Sequence, residues 1–287
     1  MKLLKLFISS TSIFSGVLLS LFLTGCEKEL DFKYHDLESP LVIEATLSQE
    51  GSNVRLTHTT PMDEPIDLTP LTDAEVSVTD LTTGLSRSLP LKEDGSFGDS
   101  MPGETGHEYS VSVTTGGNKF LSSCVMKGAT EVVDMLFQWI KMPYDYVAVL
   151  QVSFKEIPGD DDNCFWVRLL RNGEPYKWGV VDRRIPSSGI INFITMTTRQ
   201  DIDEEDEKDL LLDGDKITAL VIPISREMVD YLSALEQDSN GPALWEGGFC
   251  LGYFLASPVA SKTITFHPDE LTEYTSILPA VAPGYYL

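Results

Sequence analysis

Positive charge is scarce in this sequence. Of its 287 residues, 21 are Lys or Arg and 44 are Asp or Glu, which gives a net charge of −23 at pH 7. A surface with this balance repels nucleic acid phosphates and anionic lipid headgroups. The sequence therefore predicts no nucleic acid partner, and calcium, a cationic partner or solubility alone accounts better for the acidic surface.

Catalytic motifs are also missing. The sequence contains no G-x-S-x-G elbow, and His107-Glu108 lacks the second histidine of H-E-x-x-H because Tyr109, Ser110 and Val111 follow it. Without that histidine, two zinc ligands cannot share one helical face. The sequence thus predicts no enzymatic activity and no catalytic residue. A hydrolase site assembled from distant positions is the weakest of the functional alternatives.

Cysteine is rare and has no metal-binding or redox spacing. After Cys26 there are three cysteines, Cys124, Cys164 and Cys250, and no C-x-x-C pair. In an oxidising compartment one pair could form a disulfide and leave one free thiol. Each of the three lies in an apolar stretch, which favours the alternative that they are buried free thiols.

The one long apolar run lies at the start of the chain. Basic residues Lys2 and Lys5 precede it, and small residues end it, as in a secretory signal. Its last four residues, Leu23-Thr24-Gly25-Cys26, resemble the lipobox of bacterial lipoproteins. The resemblance implies that residues 1–25 are removed and that Cys26 carries acyl chains, two or more of which anchor a protein firmly. The alternatives are an ordinary secreted protein and a single-span anchor.

The mature chain divides by composition. Residues 26–40 are rich in charge and show no sustained periodicity of apolar residues, which predicts a tether between the acyl chains and the folded body. Short β-branched segments with alternating apolar and polar residues follow, separated by turn residues. They predict an all-β fold of two β-sandwich domains, at 41–128 and 130–270, with a C-terminal tail at 271–287. The second domain is the larger.

Two local features have specific predictions. Gly116-Gly117 joins two strand-like segments and predicts a tight hairpin. Met228, Leu232 and Leu235 recur at helical spacing after Ser225, which can cap a helix, and the stretch from Asp238 to Pro242 ends it. This predicts one short helix at an edge or end of the second domain.

The whole mature chain resembles a family of Bacteroidota lipoproteins that is defined by a domain of unknown function. The similarity follows the order of several phrases, and its strongest parts are Leu212-Asp213-Gly214-Asp215-Lys216-Ile217-Thr218 and Gly248-Phe249-Cys250-Leu251-Gly252-Tyr253-Phe254. The resemblance implies an outer-membrane lipoprotein that faces the cell exterior and works beside a TonB-dependent transporter. It implies an immunoglobulin-like or transthyretin-like first domain, and it transfers no catalytic residue.

Two acidic runs are candidates for a calcium site. The first contains Asp160, Asp161 and Asp162, and the second contains Asp201, Asp203 and Glu205. Calcium prefers six to eight oxygen ligands, which such runs supply. The second run lacks the glycine and the final glutamate of an EF-hand loop. A solvated, self-repelling loop is therefore the favoured alternative.

Two tryptophans are candidate ligand contacts. Trp178 and Trp245 lie beside turn residues, where exposed rings can stack on a sugar or grip a peptide. The alternative is that both rings fill a sandwich core, as strand aromatics usually do.

The sequence thus leaves two main functional hypotheses. The first is a non-enzymatic lipoprotein that assists a TonB-dependent transporter by binding ligand or docking on it. The second is a structural or adhesive surface module, which needs no pocket. A cleft lined by Trp178 or Trp245 would favour the first hypothesis, and a closed, pocketless second domain would favour the second.

Overall fold

The computed structural model describes residues 39–60, 64–142, 146–160, 162–183, 189–199, 210–239 and 241–272. These residues belong to one compact unit, Ser39–Leu287. Among them, no helix has the length and apolar character that crossing a membrane requires. The predicted signal segment, Cys26 and most of the tether lie outside the described residues.

The described chain contains fifteen strands and one α-helix. The strands that precede residue 130 are β1 (Leu41–Ser48), β2 (Gly51–His58), β3 (Glu75–Asp80), β4 (Leu85–Ser88), β5 (Phe97–Asp99), β6 (Glu108–Thr115) and β7 (Asn118–Val125). The later strands are β8 (Val132–Lys141), β9 (Tyr146–Lys155), β10 (Asn163–Arg171), β11 (Glu174–Arg183), β12 (Ile190–Arg199), β13 (Lys216–Pro223), β14 (Leu251–Ala256) and β15 (Ala260–Thr265). The helix is α1 (Arg226–Glu236), and a short 3-10 turn follows at Pro268–Glu270.

The first sandwich consists of two four-stranded sheets, in the orders β14-β1-β2-β5 and β4-β3-β6-β7. Alternate residues of the two sheets face each other and form one core. Its most buried side chains include Ile43, Ala45, Val54, Leu56, Val76, Val78, Val111 and Val113. The alternation in the sequence therefore corresponds to real inward and outward faces.

A tyrosine corner identifies the first sandwich as immunoglobulin-like. Tyr109 lies near the start of β6 and is 2% exposed. Its hydroxyl accepts a hydrogen bond of 2.7 Å from the backbone N–H of Glu104, five residues upstream. Such a bond at the corner before the sixth strand is typical of immunoglobulin-like sandwiches. The predicted all-β fold with an immunoglobulin-like first domain is confirmed.

The second sandwich combines a four-stranded sheet, β11-β10-β13-β15, with a three-stranded sheet, β12-β9-β8. Its core contains Phe154 and Phe165, whose ring centroids are 4.9 Å apart in an edge-to-face arrangement. Leu150, Val167 and Ile217 are fully or almost fully buried beside them. Large aromatic side chains thus supply much of the apolar area that this core removes from water.

The position of β14 corrects one assignment from the sequence. The predicted boundaries place its residues, which fall within 130–270, in the second domain. In the structure β14 pairs in parallel with β1 of the first sandwich, from Val42 opposite Leu251 to Leu47 opposite Ala256. The assignment of this strand is wrong because its backbone hydrogen bonds reach a strand about 200 residues earlier, which local pattern does not reveal.

The predicted helix is confirmed, and its location differs from the expected one. Ser225 accepts a hydrogen bond from the N–H of Met228 at 3.3 Å and caps the start of α1. Met228 and Leu232 are buried in a third apolar cluster, together with Trp166 of β10 and Tyr253 of β14. The helix therefore covers a face between the two sandwiches rather than an edge or end of one.

The turns and strands match the sequence to different degrees. Gly116 and Gly117 have φ values of +55° and +77° and join β6 to β7, as the predicted hairpin requires. Three strands, β4, β5 and β11, have too weak a pattern in the sequence to predict a strand. The first two have only four and three residues, and β11 includes Pro175 and Gly179, which weaken a strand pattern.

The tyrosine corner can be tested with Tyr109→Phe. The substitution keeps the buried ring and removes only the hydroxyl that accepts from Glu104. We expect the free energy of unfolding to fall by about 1 kcal/mol, the usual net value of one hydrogen bond. Urea denaturation followed by circular dichroism measures the change, and an unchanged midpoint would contradict the assigned role of the hydroxyl.

Candidate functional site

A pocket of about 540 Å³ lies beside β7 and is the candidate site. We call it the Trp245 pocket. Its walls come from β7, β14, the start of α1 and the segment before β14. The residues that line it include Leu121, Ser123, Cys124, Val125, Lys127, Glu227, Met228, Leu244, Trp245, Glu246 and Phe254. Its volume lies within the range of about 300 to 1,000 Å³ that is usual for ligand pockets.

Three hydrogen bonds hold the segment that carries Trp245. Leu121 and Glu246 exchange two backbone bonds of 3.0 and 2.8 Å, which form an isolated antiparallel bridge. Ser122 Oγ donates to Leu244 O at 2.6 Å. Trp245 lies between these two anchors, so its position relative to β7 is determined by the backbone as well as by packing.

Gly247 permits the close approach of this segment to β7. It has a φ of +101°, and a Cβ atom built there would lie 1.9 Å from Lys119 O. No side chain fits at that distance, because a Cβ atom essentially never comes within 3.0 Å of an atom to which it is not bonded. The glycine is therefore required where the segment crosses the start of β7.

Replacing Gly247 tests this requirement. We expect Gly247→Ala to lower the free energy of unfolding by about 2 kcal/mol or more, since it combines a left-handed backbone with a backbone clash. Gly106→Ala is a matched control, because Gly106 has a φ of +85° with nothing within 4 Å of the added Cβ. The control should lose only about 1 kcal/mol. Equal losses in chemical denaturation would show that the clash is not important.

Trp245 belongs to the core and to the pocket wall at once. It is 5% exposed and packs in the first-sandwich core. Its indole Nε1 has no hydrogen-bond partner among the described residues. A buried donor without an acceptor costs about 1 to 3 kcal/mol. The two predictions for this ring, core packing and a ligand contact, are thus compatible at this position.

Trp178 lies elsewhere. It is on β11, is 40% exposed and does not line the Trp245 pocket. Its ring and that of Trp166 form an edge-to-face pair with centroids 6.4 Å apart, and Trp166 forms a second such pair with Tyr253 at 5.8 Å. The guanidinium of Arg168 lies 4.9 Å from the Trp166 ring. The structure therefore does not bring the two predicted tryptophans into one site.

The charges around the pocket are mainly negative. Glu108, Glu227 and Glu246 are exposed, and none of them forms an ion pair with another described residue. The one lysine in the lining, Lys127, donates to Asp160 Oδ2 at 2.8 Å, so its charge is largely balanced. Glu227 is also in the first turn of α1, where the helix dipole favours an anion.

The first acidic run forms ion pairs in the structure. Asp160 binds Lys127, and Asp162 Oδ1 lies 2.5 Å from Arg226 Nη2. Arg226 also contacts Asp182 at 3.1 Å. Within the described ranges no group of three or more His, Cys, Asp or Glu side chains is arranged to hold a metal ion. The other candidate ligands, Asp161, Asp201, Asp203 and Glu205, lie outside the described residues.

The described histidines have separate partners. Nδ1 of His107 lies 2.9 Å from Asp80 Oδ2, and Nδ1 of His267 lies 2.8 Å from Asp213 Oδ1. His58 Nδ1 lies 2.9 Å from the carbonyl oxygen of Ser39. The hydrogen bond to Asp80 raises the pKa of His107. Each histidine is thus part of a local contact in its own region of the chain.

All three described cysteines are free thiols. Cys164 and Cys250 are buried, and Cys124 is half-buried in the wall of the Trp245 pocket. Burial raises the pKa of Cys124, and burial is also the main cause that raises the pKa of Cys164 and Cys250 to about 11. At neutral pH the three groups are protonated, which makes them poor nucleophiles.

Alkylation tests these thiols. In the folded protein, with Cys26 replaced by Ser, we expect Cys124 to react first because it is the most accessible. Its rate should keep rising above pH 9, since a raised pKa shifts thiolate formation to higher pH. Mass spectrometry counts the labels. After unfolding in urea without reductant, all three thiols should react with the alkylating reagent. A pair that stays unreactive after unfolding would reveal a disulfide.

Comparison with known proteins does not assign the chain to a family. No protein-family model and no curated protein matches the sequence. Among solved structures, a segment of two fibronectin type III domains from chicken tenascin is 12% identical, and the alignment covers 80% of this chain and 100% of that one. The TM-score is 0.23. The fold assignment therefore depends on the sheets and the tyrosine corner described above.

Proposed function

We propose that this protein is a non-enzymatic lipoprotein of the outer membrane, anchored by acyl chains on Cys26 and exposed at the cell surface. In this proposal it assists a TonB-dependent transporter by binding a ligand or by docking on the transporter. The lipobox-like sequence and the resemblance to Bacteroidota lipoproteins support the location. The Trp245 pocket supports the binding role.

The pocket is the observation that favours binding over a purely structural or adhesive role. A structural module needs no recess, whereas this recess has an aromatic wall, apolar side chains and several carboxylates. Recesses of this size with apolar walls and a few polar groups are the usual form of ligand sites. A second hollow of about 580 Å³ has polar or charged side chains at seven of its twelve lining residues, among them Thr72, Ser77 and Ser88, and it is less suited to a ligand with apolar groups.

Co-purification from native membranes tests the proposed function. The tagged wild-type chain should recover an outer-membrane transporter, identified by mass spectrometry, and Cys26→Ser should release the chain from the membrane. Val125→Arg places a bulky cation in the pocket wall at a side chain that is 53% exposed. We expect it to lower transporter recovery about tenfold, which corresponds to about 1.4 kcal/mol.

A matched control distinguishes the pocket from general surface effects. Leu85 is 72% exposed on β4 and does not line the Trp245 pocket. Leu85→Arg makes the same chemical change and should leave recovery of the transporter unchanged. Recovery of the wild-type chain without any transporter would refute the accessory role.

A further inference from the structure

We propose that the Trp245 pocket binds an extended peptide segment of a partner protein, which adds as a short strand to the open edge of β7. The open edge is the backbone of Ser123–Val125. This inference rests on the proposed function and deepens it, since it names the chemical class of the ligand. Strand addition is a common mode of peptide recognition, in which backbone hydrogen bonds supply affinity and side-chain pockets supply specificity.

The hydrogen bonds of β7 show which of its backbone groups face outward. β6 and β7 are antiparallel, with Tyr109 opposite Cys124. Just past the end of β7, Met126 N donates to His107 O at 2.9 Å. The backbone N–H and C=O groups of every second residue of β7, counted back from Met126, therefore point toward β6. Cys124 lies two residues before Met126, so its backbone groups also point toward β6, because backbone direction alternates along a strand.

The backbone N–H and C=O groups of the intervening residues of β7 point away from β6. Leu121 is one of them, and its N–H and C=O bind Glu246 on the outer side. Ser123 and Val125 follow at intervals of two, so their backbone groups point the same way. In the described part of the chain, no hydrogen bond involves the backbone N–H of either residue or the carbonyl of Ser123.

The unpaired groups face the pocket. Ser123 and Val125 both line it, and the start of α1 and β14 form the other walls. The bridge between Leu121 and Glu246 is antiparallel, so Leu244 would face Ser123 in a regular ladder, but Leu244 O instead accepts from Ser122 Oγ at 2.6 Å. An added strand would pair with the backbone groups of Ser123 and Val125 that this segment leaves unpaired. A strand advances about 3.3 Å per residue, so three or four residues span the open edge.

This edge lacks the usual protection against pairing. Edge strands are commonly blocked by proline, by charged side chains or by a bulge. The open part of β7 has the sequence Ser123-Cys124-Val125, which contains neither proline nor charge. The edge lies in the wall of a recess that β14 and the start of α1 also line, rather than on an open face of the sheet.

The side chains around the edge indicate what the peptide carries. The inner wall is apolar, with Met228 and Phe254 near Cys124. On the outer face, Glu108 is directly opposite Val125, and Glu246 is next to Leu121. An added strand with apolar residues inward and basic residues outward would match both faces, since opposite charges across neighbouring strands are favourable.

The test uses the full mature chain, acylated and in detergent micelles, and acetyl-VKVKVKV-amide as the probe. Isothermal titration calorimetry should detect binding of this peptide. The Kd of acetyl-VEVEVEV-amide should be at least about tenfold higher, a difference that corresponds to about 1.4 kcal/mol. Equal binding of the two peptides overturns the charge selection.

Backbone methylation tests the strand geometry directly. One peptide carries methyl groups on the backbone nitrogens of its Val residues, and a second carries them on the backbone nitrogens of its Lys residues. Only one edge of an added strand meets β7, so one methylated peptide should lose binding and the other should keep it. An equal loss with both, or no binding of the unmodified peptide, overturns the proposal.

Variants of the protein complete the test. Ser123→Pro removes an outward N–H and should abolish binding, whereas Ser123→Ala keeps the backbone and should bind as the wild type does. If Ser123→Pro does not fold, the methylated peptides still decide. A dimer of the protein that excess peptide cannot dissociate, seen by analytical ultracentrifugation, would show that a second copy fills the edge and would overturn the proposal.

The two proposals fail in different ways. Suppose that the wild-type chain recovers the transporter, that Val125→Arg lowers this recovery, and that none of the peptides binds. This result supports the accessory function and refutes the peptide inference. A chain that binds the peptide and recovers no transporter gives the opposite result.

Discussion

Parallel hydrogen bonds between β14 and β1 join the end of the described chain to its beginning. The six residues of β14 complete a sheet whose other strands all precede residue 100. The strands before and after it, β13 and β15, pair with each other in the second sandwich. The chain must therefore leave one sandwich, add a strand to the other and return. This crossing determines where α1, Trp245 and the pocket lie.

The crossing explains the composition of β14. A strand with one face in water alternates apolar and polar residues, whereas β14 reads Leu-Gly-Tyr-Phe-Leu-Ala. Phe254 and Ala256 pack in the first-sandwich core, and Tyr253 and Leu255 pack in the cluster beneath α1. Burial on both faces removes the need for polar residues, as in the strands of parallel sheets that are covered on both sides.

The pocket follows from the same path. After α1 the chain runs antiparallel to β7 and binds it at Leu121 and Glu246, but the residues before Glu246 form no backbone hydrogen bond with Ser123 or Val125. The result is a strand edge that is half covered by the chain itself and half exposed to a recess. The carboxylates around that recess belong to three separate elements, so the negative field there is a property of the assembled fold.

Elements whose causes are local could be predicted from the amino-acid sequence. Alternation of side chains indicated most strands, Gly116-Gly117 indicated a hairpin, and Ser225 with Met228 and Leu232 indicated the helix, because each depends on residues within a few positions of one another. The sequence also identified Trp245 as a residue to examine. The short strands β4 and β5 contain too few residues for a period to be visible, and they were not predicted.

Which distant segments meet became apparent from the folded chain alone. The fold placed β14 beside β1, separated Trp178 from Trp245, and paired Asp160 with Lys127 and Asp162 with Arg226 rather than with each other. The open edge of β7 could not be predicted either, since it depends on a much later segment that bonds to Leu121 and forms no backbone bond with Ser123 or Val125. Strand pairing over about 200 residues depends on the packing of the whole body, and a local pattern does not contain that information.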